Sequence, residues 1–316
     1  MEKINGQAVI GNLSKRKIEI AAGKRSEIKT GLVLQGGGMR GAYGIGALSA
    51  LEDEGLTEAF DYIVGSSSGG INGAYFVARQ CRDAIKAYID DLSCRKFVNL
   101  SRFGKVMDID FLIDNVVKDK KRLDLDKVKA AIANTGVILT DIESGKGFEI
   151  TNRDDGVDYY EVLRGTSAIP VVYNRSVNVA GRRVIDGGVA ENIPLLRATS
   201  HGCTDILVVL TSLVTRKRLG LRGPLKWFVK MRMAGFPTPI ISRILSEDKE
   251  FNHVMSMLRG MTAMPKGVRC AVVFPSDPSR LVSRLTTDKR RLDESVKLGR
   301  SDMLSTLVAR ISQIAP

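Results

Sequence analysis

The stretch GLVLQGGGMRGAYGIGAL, from Gly31 to Leu48, decides how this chain is read. GLVLQ is a short apolar run that stops at glycines, the pattern of a buried strand. From Gly41 onward apolar residues fall at Ala42, Ile45, Leu48 and Leu51, one face of a helix that Gly55 would end. Strand, glycine turn and helix therefore follow one another without a linker. Consecutive glycines let several backbone N–H groups point at one anion near a helix N-terminus. Three readings of this turn stay open: an oxyanion loop, a dinucleotide loop of the G-x-G-x-x-G kind, or a tight structural turn. A dinucleotide loop needs an acid about 20 residues on, at the end of the next strand. Asp61 has roughly that spacing but begins its strand.

Working outward, Phe60 to Val64 reads as a second strand, and Gly65-Ser66-Ser67-Ser68-Gly69 follows it before a helix to Arg79. This is G-x-S-x-G in the strand–turn–helix setting of a nucleophile elbow, which lifts the central serine, Ser67, above the sheet. The bland reading is a flexible Ser/Gly loop. A third motif, Asp186-Gly187-Gly188, ends another probable strand; alone, Asp-Gly is a common turn pair. A serine nucleophile usually takes histidine as its base. The chain has two, and both read as structural: His201 in a helix's last turn, His253 in a charged helix. A serine paired directly with a carboxylate is then the better candidate.

The rest of the chain continues the alternation. Residues 82–130, 192–200, 238–259 and 292–313 read as mostly helical. Strands are expected at 137–141 and 147–151 as a hairpin, at 177–180 and 183–185, at 205–211 and at 271–274. Strands alternating with helices imply an α/β fold with a mainly parallel sheet. With 44% hydrophobic and 26% charged residues, the 316-residue chain is no disordered segment. Its four cysteines have no short-range spacing, so neither a disulfide scaffold nor a metal site is expected. The longest apolar run, Ile206 to Val214, is about half a membrane span. No apolar leader is seen after Met1. The expectation is a cytoplasmic chain, with peripheral attachment to the inner face of a membrane open to it.

Net charge is +13, unevenly spread. Residues 1–30 carry seven basic and three acidic groups, and residues 216–232 carry seven basic groups and no acid. Residues 31–215 hold 21 basic and 24 acidic groups, so no fold-wide nucleic-acid footprint exists. Two local basic patches suit an anionic membrane better. In the second, Arg216, Lys217, Arg218, Arg222, Lys226, Lys230 and Arg232 surround Trp227 and Phe228, the mixture of an interfacial anchor. A solvated basic loop is the alternative.

GLVLQGGGMRGAYGIGAL, DYIVGSSSGGINGAYF, GTSAIPVVY and VIDGGVAENIPL, in that order, resemble the patatin-like phospholipases. The resemblance covers residues 30–212 and implies a three-layer α/β/α sandwich, followed here by a helical C-terminal region. It divides the chain into a basic lead-in at 1–29, a catalytic core at 30–212 and a basic amphipathic and helical region at 213–316. It implies a Ser67–Asp186 dyad without histidine, and an oxyanion hole at Gly36, Gly37 and Gly38 with Arg40. Gly41, Gly65, Gly69, Gly187 and Gly188 are the motif glycines. Where the family often has Asp before the glycine run, this chain has Gln35; Pro170 matches a position that shapes the nearby loop. The implied activity is lipid acyl ester hydrolysis without metal or cofactor, on a lipid substrate and without nucleic acid. A catalytically silent lipid-binding module, a nucleotide-binding enzyme, or an acyltransferase or thioesterase on the same dyad are the alternatives.

Overall fold

In the computed structural model of the chain, the described residues are 3–24, 27–102, 104–221 and 223–308. Helix α1 (Lys3–Ala21) precedes β1 (Thr30–Leu34), α2 (Gly41–Asp53), β2 (Tyr62–Ser66) and α3 (Ser68–Val77). Then come α4 (Cys81–Lys86), a π-helical segment at Phe111–Lys120, α5 (Leu125–Ala130), β3 (Asn134–Asp141), β4 (Gly147–Thr151) and α6 (Tyr159–Ser167). The chain continues through β5 (Val177–Val179), β6 (Arg182–Asp186), α7 (Leu195–Ser200), β7 (Asp205–Val209) and α8 (Gly223–Arg232). It closes with α9 (Thr238–Leu258), β8 (Arg269–Val273) and α10 (Lys289–Val308). The stretch 309–313, expected to be helical, lies outside the described residues.

All eight strands form one sheet in the order β5-β6-β3-β2-β1-β7-β8, with β4 also on β3. The β3-β2-β1-β7-β8 part is parallel, and β4, β5 and β6 pair antiparallel. Both faces are covered. Leu32, Leu34, Leu207 and Val209 enter a core shared with α1, α2, α3 and α10. Val33, Ile206 and Val208 point the other way, into a core shared with α7 and α9. The period of two along a strand explains why these runs are apolar without interruption: each successive side chain meets a different layer of helices. This is the three-layer α/β/α architecture, with the helical C-terminal region closing both faces. No helix among the described residues is long and apolar enough to cross a membrane.

The register at β3 positions the site. Ile138 pairs with Ser66 of β2 and with Glu149 of β4; Leu139 pairs with Phe148 of β4 and with Asp186 of β6. Because β4 runs along one edge of β3, β2 and β6 share the other edge and meet end to end there. Their last residues, Ser66 and Asp186, stand at neighbouring positions of β3. Residues 120 apart in sequence are thereby brought to one point.

The N-terminal basic stretch, read from sequence only as a lead-in, contains helix α1. Val9, Ile10 and Leu13 bury against the sheet. Asn12 Nδ2 donates to Asp205 Oδ2 at 2.6 Å, and Arg16 pairs with Asp61. Its polar composition hid it, because only one narrow stripe is apolar. Asp61, the acid weighed for a ribose contact, accepts from Thr30 N at 2.8 Å at the amino ends of β1 and β2. It ties strand beginnings together, at the opposite end of the sheet from the glycine loop.

Candidate active site

The chain reverses at Ser67 with φ 55° and ψ −132°, a conformation that side chains rarely adopt. The turn is this tight because Gly65 and Gly69 touch across it. A Cβ on Gly65 would lie 2.4 Å from Gly69 C, and one on Gly69 would lie 2.4 Å from Leu34 O. Three hydrogen bonds hold the turn. Ser67 N donates to Thr166 Oγ1 at 2.8 Å, and Thr166 Oγ1 donates to Ile138 O at 2.7 Å. Ser66 Oγ donates to Glu191 O. A strained conformation persists only when its surroundings over-determine it, and these contacts do so.

Asp186 ends β6 facing this turn. Its Oδ1 accepts from Gly188 N at 2.6 Å, while Oδ2 is buried and has no partner of normal hydrogen-bond geometry. Burial pushes the carboxyl up to about 7. The Ser67 hydroxyl, the Gly188 N–H and the Arg284 charge pull it down, and Glu247 pushes it up. The hydroxyl therefore faces the carboxylate closely enough to act on it, although no fully formed hydrogen bond closes between them. Catalytic contacts are often loose before substrate binds. An aspartate near 7 can hold or release a proton at neutral pH, which one at its ordinary value cannot do.

The glycine loop divides its N–H groups unevenly. Gly36 N donates to Asn192 O at 3.3 Å, and Gly37 N donates to Ser68 Oγ at 3.0 Å. Arg40 N donates to Gly37 O at 3.2 Å, and its Nε donates to Val282 O at 2.9 Å. Among the described residues, Gly38 N alone of this loop has no protein partner. Gly38 has φ +57°, and a Cβ there would lie 2.8 Å from Arg284 O. Of the residues expected to face an oxyanion, Gly36, Gly37 and Arg40 thus hold the loop, and Gly38 presents a free donor.

Sequence reasoning passed over the residues that fasten the loop. Gln35 Oε1 accepts from Thr211 N at 2.7 Å and Ser212 Oγ at 3.1 Å, while Nε2 donates to Asn192 Oδ1 at 3.0 Å. A carboxylate could not make that last donation, so Gln35 suits this chain's Asn192. The remaining motif glycines mark close approaches. A Cβ on Gly41 would meet Tyr88 Oη at 2.1 Å, and one on Gly187 would meet Ile138 O at 2.0 Å. Thr166 carried a legible signal, its place in GTSAIP, and Gln35 stood out only as a departure from the family's Asp; Thr211 carried none.

An apolar cavity opens beside Gly38, Ser67 and Ser68. Ile71, Tyr75, Leu92, Phe97, Met107 and Leu112 are among its walls. Neither histidine lines it: His201 caps α7, stacks on Tyr62 at 4.1 Å and lies 3.0 Å from Glu149 Oε2, and His253 is exposed. Among the described residues no group of three or more His, Cys, Asp and Glu is placed to hold a metal ion.

The basic segment splits into two parts. Arg218 turns inward: its side chain is 10% exposed, pairs with Glu247 at 3.1 Å and covers the Phe251 ring at 4.1 Å. Arg216 is half-buried, and Lys217 between them is exposed. Lys226, Trp227, Phe228 and Lys230 lie outward on α8, while Arg232 donates to Val171 O at 3.2 Å. Arg222 lies outside the described residues.

Comparison with known proteins bears on the family and the fold. The profile of the patatin-like phospholipase family matches residues 32–199, more than half of the chain. The uncharacterized protein YjjU of Escherichia coli K12 is 26% identical over 286 residues, 85% of this chain and 74% of that protein. The crystal structure of VipD from Legionella pneumophila superposes with a TM-score of 0.54 at 14% identity, covering 90% of this chain and 67% of that one; it speaks to the fold.

Proposed function

The chain belongs to the patatin-like phospholipase family, and from that premise we propose that it is a serine-dependent lipid acyl hydrolase working through Ser67 and Asp186. Ser67 Oγ attacks the ester carbonyl carbon while Asp186 Oδ2 takes its proton. The carbonyl oxygen, now negative, is met by Gly38 N–H, aided by the positive end of α3. The C–O bond breaks, Asp186 returns the proton to the leaving alcohol, and the acyl group stays on Ser67. Water then attacks the acyl-enzyme as Asp186 takes its proton, the bond from the acyl carbon to Ser67 Oγ breaks, Asp186 returns the proton to Ser67 Oγ, and the carboxylic acid leaves.

One observation carries this reading: the buried, unpartnered Oδ2 of Asp186 beside the strained Ser67. Leaving such an oxygen unsatisfied costs about 1–3 kcal/mol. A fold retains that cost where the oxygen receives a proton in the reaction. The apolar cavity at the same mouth supports an acyl chain as the part of the substrate that enters.

The substrate surface we assign to α8. Val229 and Met233 anchor the helix on Ile185, Val189 and Ile244, directly beside the Asp186 turn. Trp227, Phe228 and Met231 then face solvent, with exposures of 67%, 42% and 48%. Lys226 and Lys230 flank this outward apolar face, and each basic group near an anionic lipid surface adds about 1 kcal/mol. This arrangement supports interfacial contact with the site entrance turned toward the lipid.

The test is hydrolysis of a p-nitrophenyl acyl series and of phospholipid vesicles by wild type, Ser67→Ala and Asp186→Asn, with folding followed by circular dichroism. Loss of activity in both folded variants is the expected result. Activity surviving in Ser67→Ala refutes the assigned nucleophile. A folded wild type that binds vesicles and turns over nothing would make the chain a lipid-binding module instead.

A further inference from the structure

Three separate segments bring arginine residues together around the glycine loop. Arg40 follows the glycine loop and is tied to Val282 O at 2.9 Å. Arg284 sits two residues beyond Val282, and its carbonyl accepts Met39 N–H at 3.1 Å. Arg216 and Arg218 follow Thr211, whose Oγ1 donates to Gly36 O at 2.9 Å. Arg218 is aimed by Phe251 and by Glu247, which lies beside Gly188.

These four are poorly neutralised. Two arginines elsewhere show the contrast: buried Arg164 contacts Asp110, Asp114 and Glu161, and half-buried Arg197 contacts Glu191, whereas Arg40 and Arg216 are half-buried and Arg284 is exposed. In the cluster only Arg218 has one, Glu247 at 3.1 Å; among the described residues Arg40, Arg216 and Arg284 pair with no carboxylate. Burial, then the Arg216, Arg284 and Arg218 charges, push the Arg40 guanidinium down to about 10. Gathering like charges without counter-ions is unfavourable, and the cost is repaid when an anion enters. Guanidinium is also the group whose planar donors fit phosphate oxygens in pairs.

We propose that Arg40, Arg216, Arg218 and Arg284 form a subsite for the phosphate of an anionic phospholipid head group, held at the entrance while an acyl chain occupies the apolar cavity. The inference rests on the hydrolase reading above and narrows its substrate class to phospholipids of net negative charge. Arg216 and Arg284 are the specificity-determining members, because among the described residues neither has a carboxylate partner nor a side-chain bond fastening the loop. Arg40 and Arg218 also hold structure in place.

The experiment uses wild type, Arg216→Gln, Arg284→Gln and the double variant, each checked by circular dichroism. Substrates are short-chain dihexanoyl phosphatidylglycerol and phosphatidylcholine below their micelle concentrations, so that attraction of α8 to a charged surface does not enter. A p-nitrophenyl ester, which has no head group, is the reference. Wild type is expected to prefer phosphatidylglycerol. The ratio of phosphatidylglycerol to p-nitrophenyl ester hydrolysis should fall about ten-fold or more in each single variant, the size of a lost charged hydrogen bond. An unchanged ratio in the double variant overturns the subsite.

A second arm reads binding without turnover. Ser67→Ala protein, with and without the two arginine substitutions, is titrated calorimetrically with an ether-linked dihexyl phosphatidic acid and, separately, with inorganic phosphate. Arginine-dependent binding of the ether lipid, ten-fold tighter than phosphate, is the expected result. Equal binding of inorganic phosphate overturns the head-group assignment in favour of free phosphate. Arginine-dependent lipid binding in a protein that hydrolyses nothing sinks the hydrolase reading and keeps the subsite. Hydrolysis indifferent to both arginines does the reverse.

Discussion

The turn at Ser67 and helix α8 lie near each other and are built on opposite terms. At the turn, backbone touches backbone. Gly65 and Gly69 leave no room for a side chain, Ser67 N is committed to Thr166, and Ser67 and Asp186 are each 5% exposed. On α8 Val229 is buried, with Met233 just after the helix, while Trp227, Phe228 and Met231 are exposed. The turn spends conformational freedom to aim one hydroxyl. The helix keeps its apolar surface for something outside the chain. On the proposed reading, the fold separates chemistry, which needs rigidity, from contact with lipid, which needs an uncovered face.

If that contrast is right, substitutions at the two places should differ in kind. The largest effect belongs to Ser67→Ala, which should lower ester hydrolysis by at least about 10³-fold with an unchanged circular dichroism spectrum. Residual rates above one hundredth of wild type would remove Ser67 from the mechanism.

Asp186→Asn should lower the rate by about 10²–10⁴-fold and yet raise stability. Asp186 is held at about 7 in the folded chain, against 3.8 as its ordinary value. As pH rises between those values the unfolded chain gives up this proton and the folded chain keeps it. Stability contributed by Asp186 is therefore full below the lower value and is lost progressively up to the upper one. Asparagine is spared that loss, so the variant should gain over wild type by a few kcal/mol at pH 8, about 4 at most, and by far less at pH 4. Thermal melts at the two pH values check this; equal differences at both would mean that Asp186 does not carry its charge unaided. In wild type the hydrolysis rate should climb as pH passes through about 7, because the base acts unprotonated.

Thr166→Val keeps the shape of a fully buried side chain while stripping Ser67 N–H and Ile138 O of their partner. It should cost about 1–3 kcal/mol in denaturant unfolding, and lower the rate while leaving the ester KM nearly constant. A loss of stability with normal turnover would show that the turn holds its geometry without this bond.

The smallest effect on the fold, and the largest on vesicles, is expected from Trp227→Ala with Phe228→Ala. Unfolding free energy should stay within about 0.5 kcal/mol, as for exposed positions generally. Sedimentation with anionic vesicles should weaken about ten-fold or more, since two large aromatic faces are lost. A drop in stability instead would place these residues in an interface inside the protein, and the contrast between turn and helix would fall.

Much of the half that holds the two glycine turns was legible from the residues alone. The order strand, glycine turn, helix at 31–55 and again at 60–79 appears as β1–α2 and β2–α3. Glycine patterns report local steric demands, and those act within a few residues of the chain. Less legible were partners from far away. The loop glycines read as equivalent until Asn192 and Ser68 claimed two of their N–H groups. The basic run at 216–232 read as one patch until Phe251 and Glu247 drew Arg218 inward. Arg284 carried no signal at all, because nothing near it in sequence resembles a site.

By itself, then, the sequence determined the α/β class, the family, and the two turns at the carboxyl ends of β1 and β2, because periodicity and glycine sterics are short-range. Tertiary structure alone decided that β2 and β6 abut on one edge of β3, that Gly38 keeps a free N–H, that the segments of Arg40, Arg216 and Arg284 gather around the glycine loop, and which side of α8 is left uncovered. Each of those depends on a contact between residues distant along the chain, and hydrogen-bond partners and charge neighbours are chosen only when the layers close.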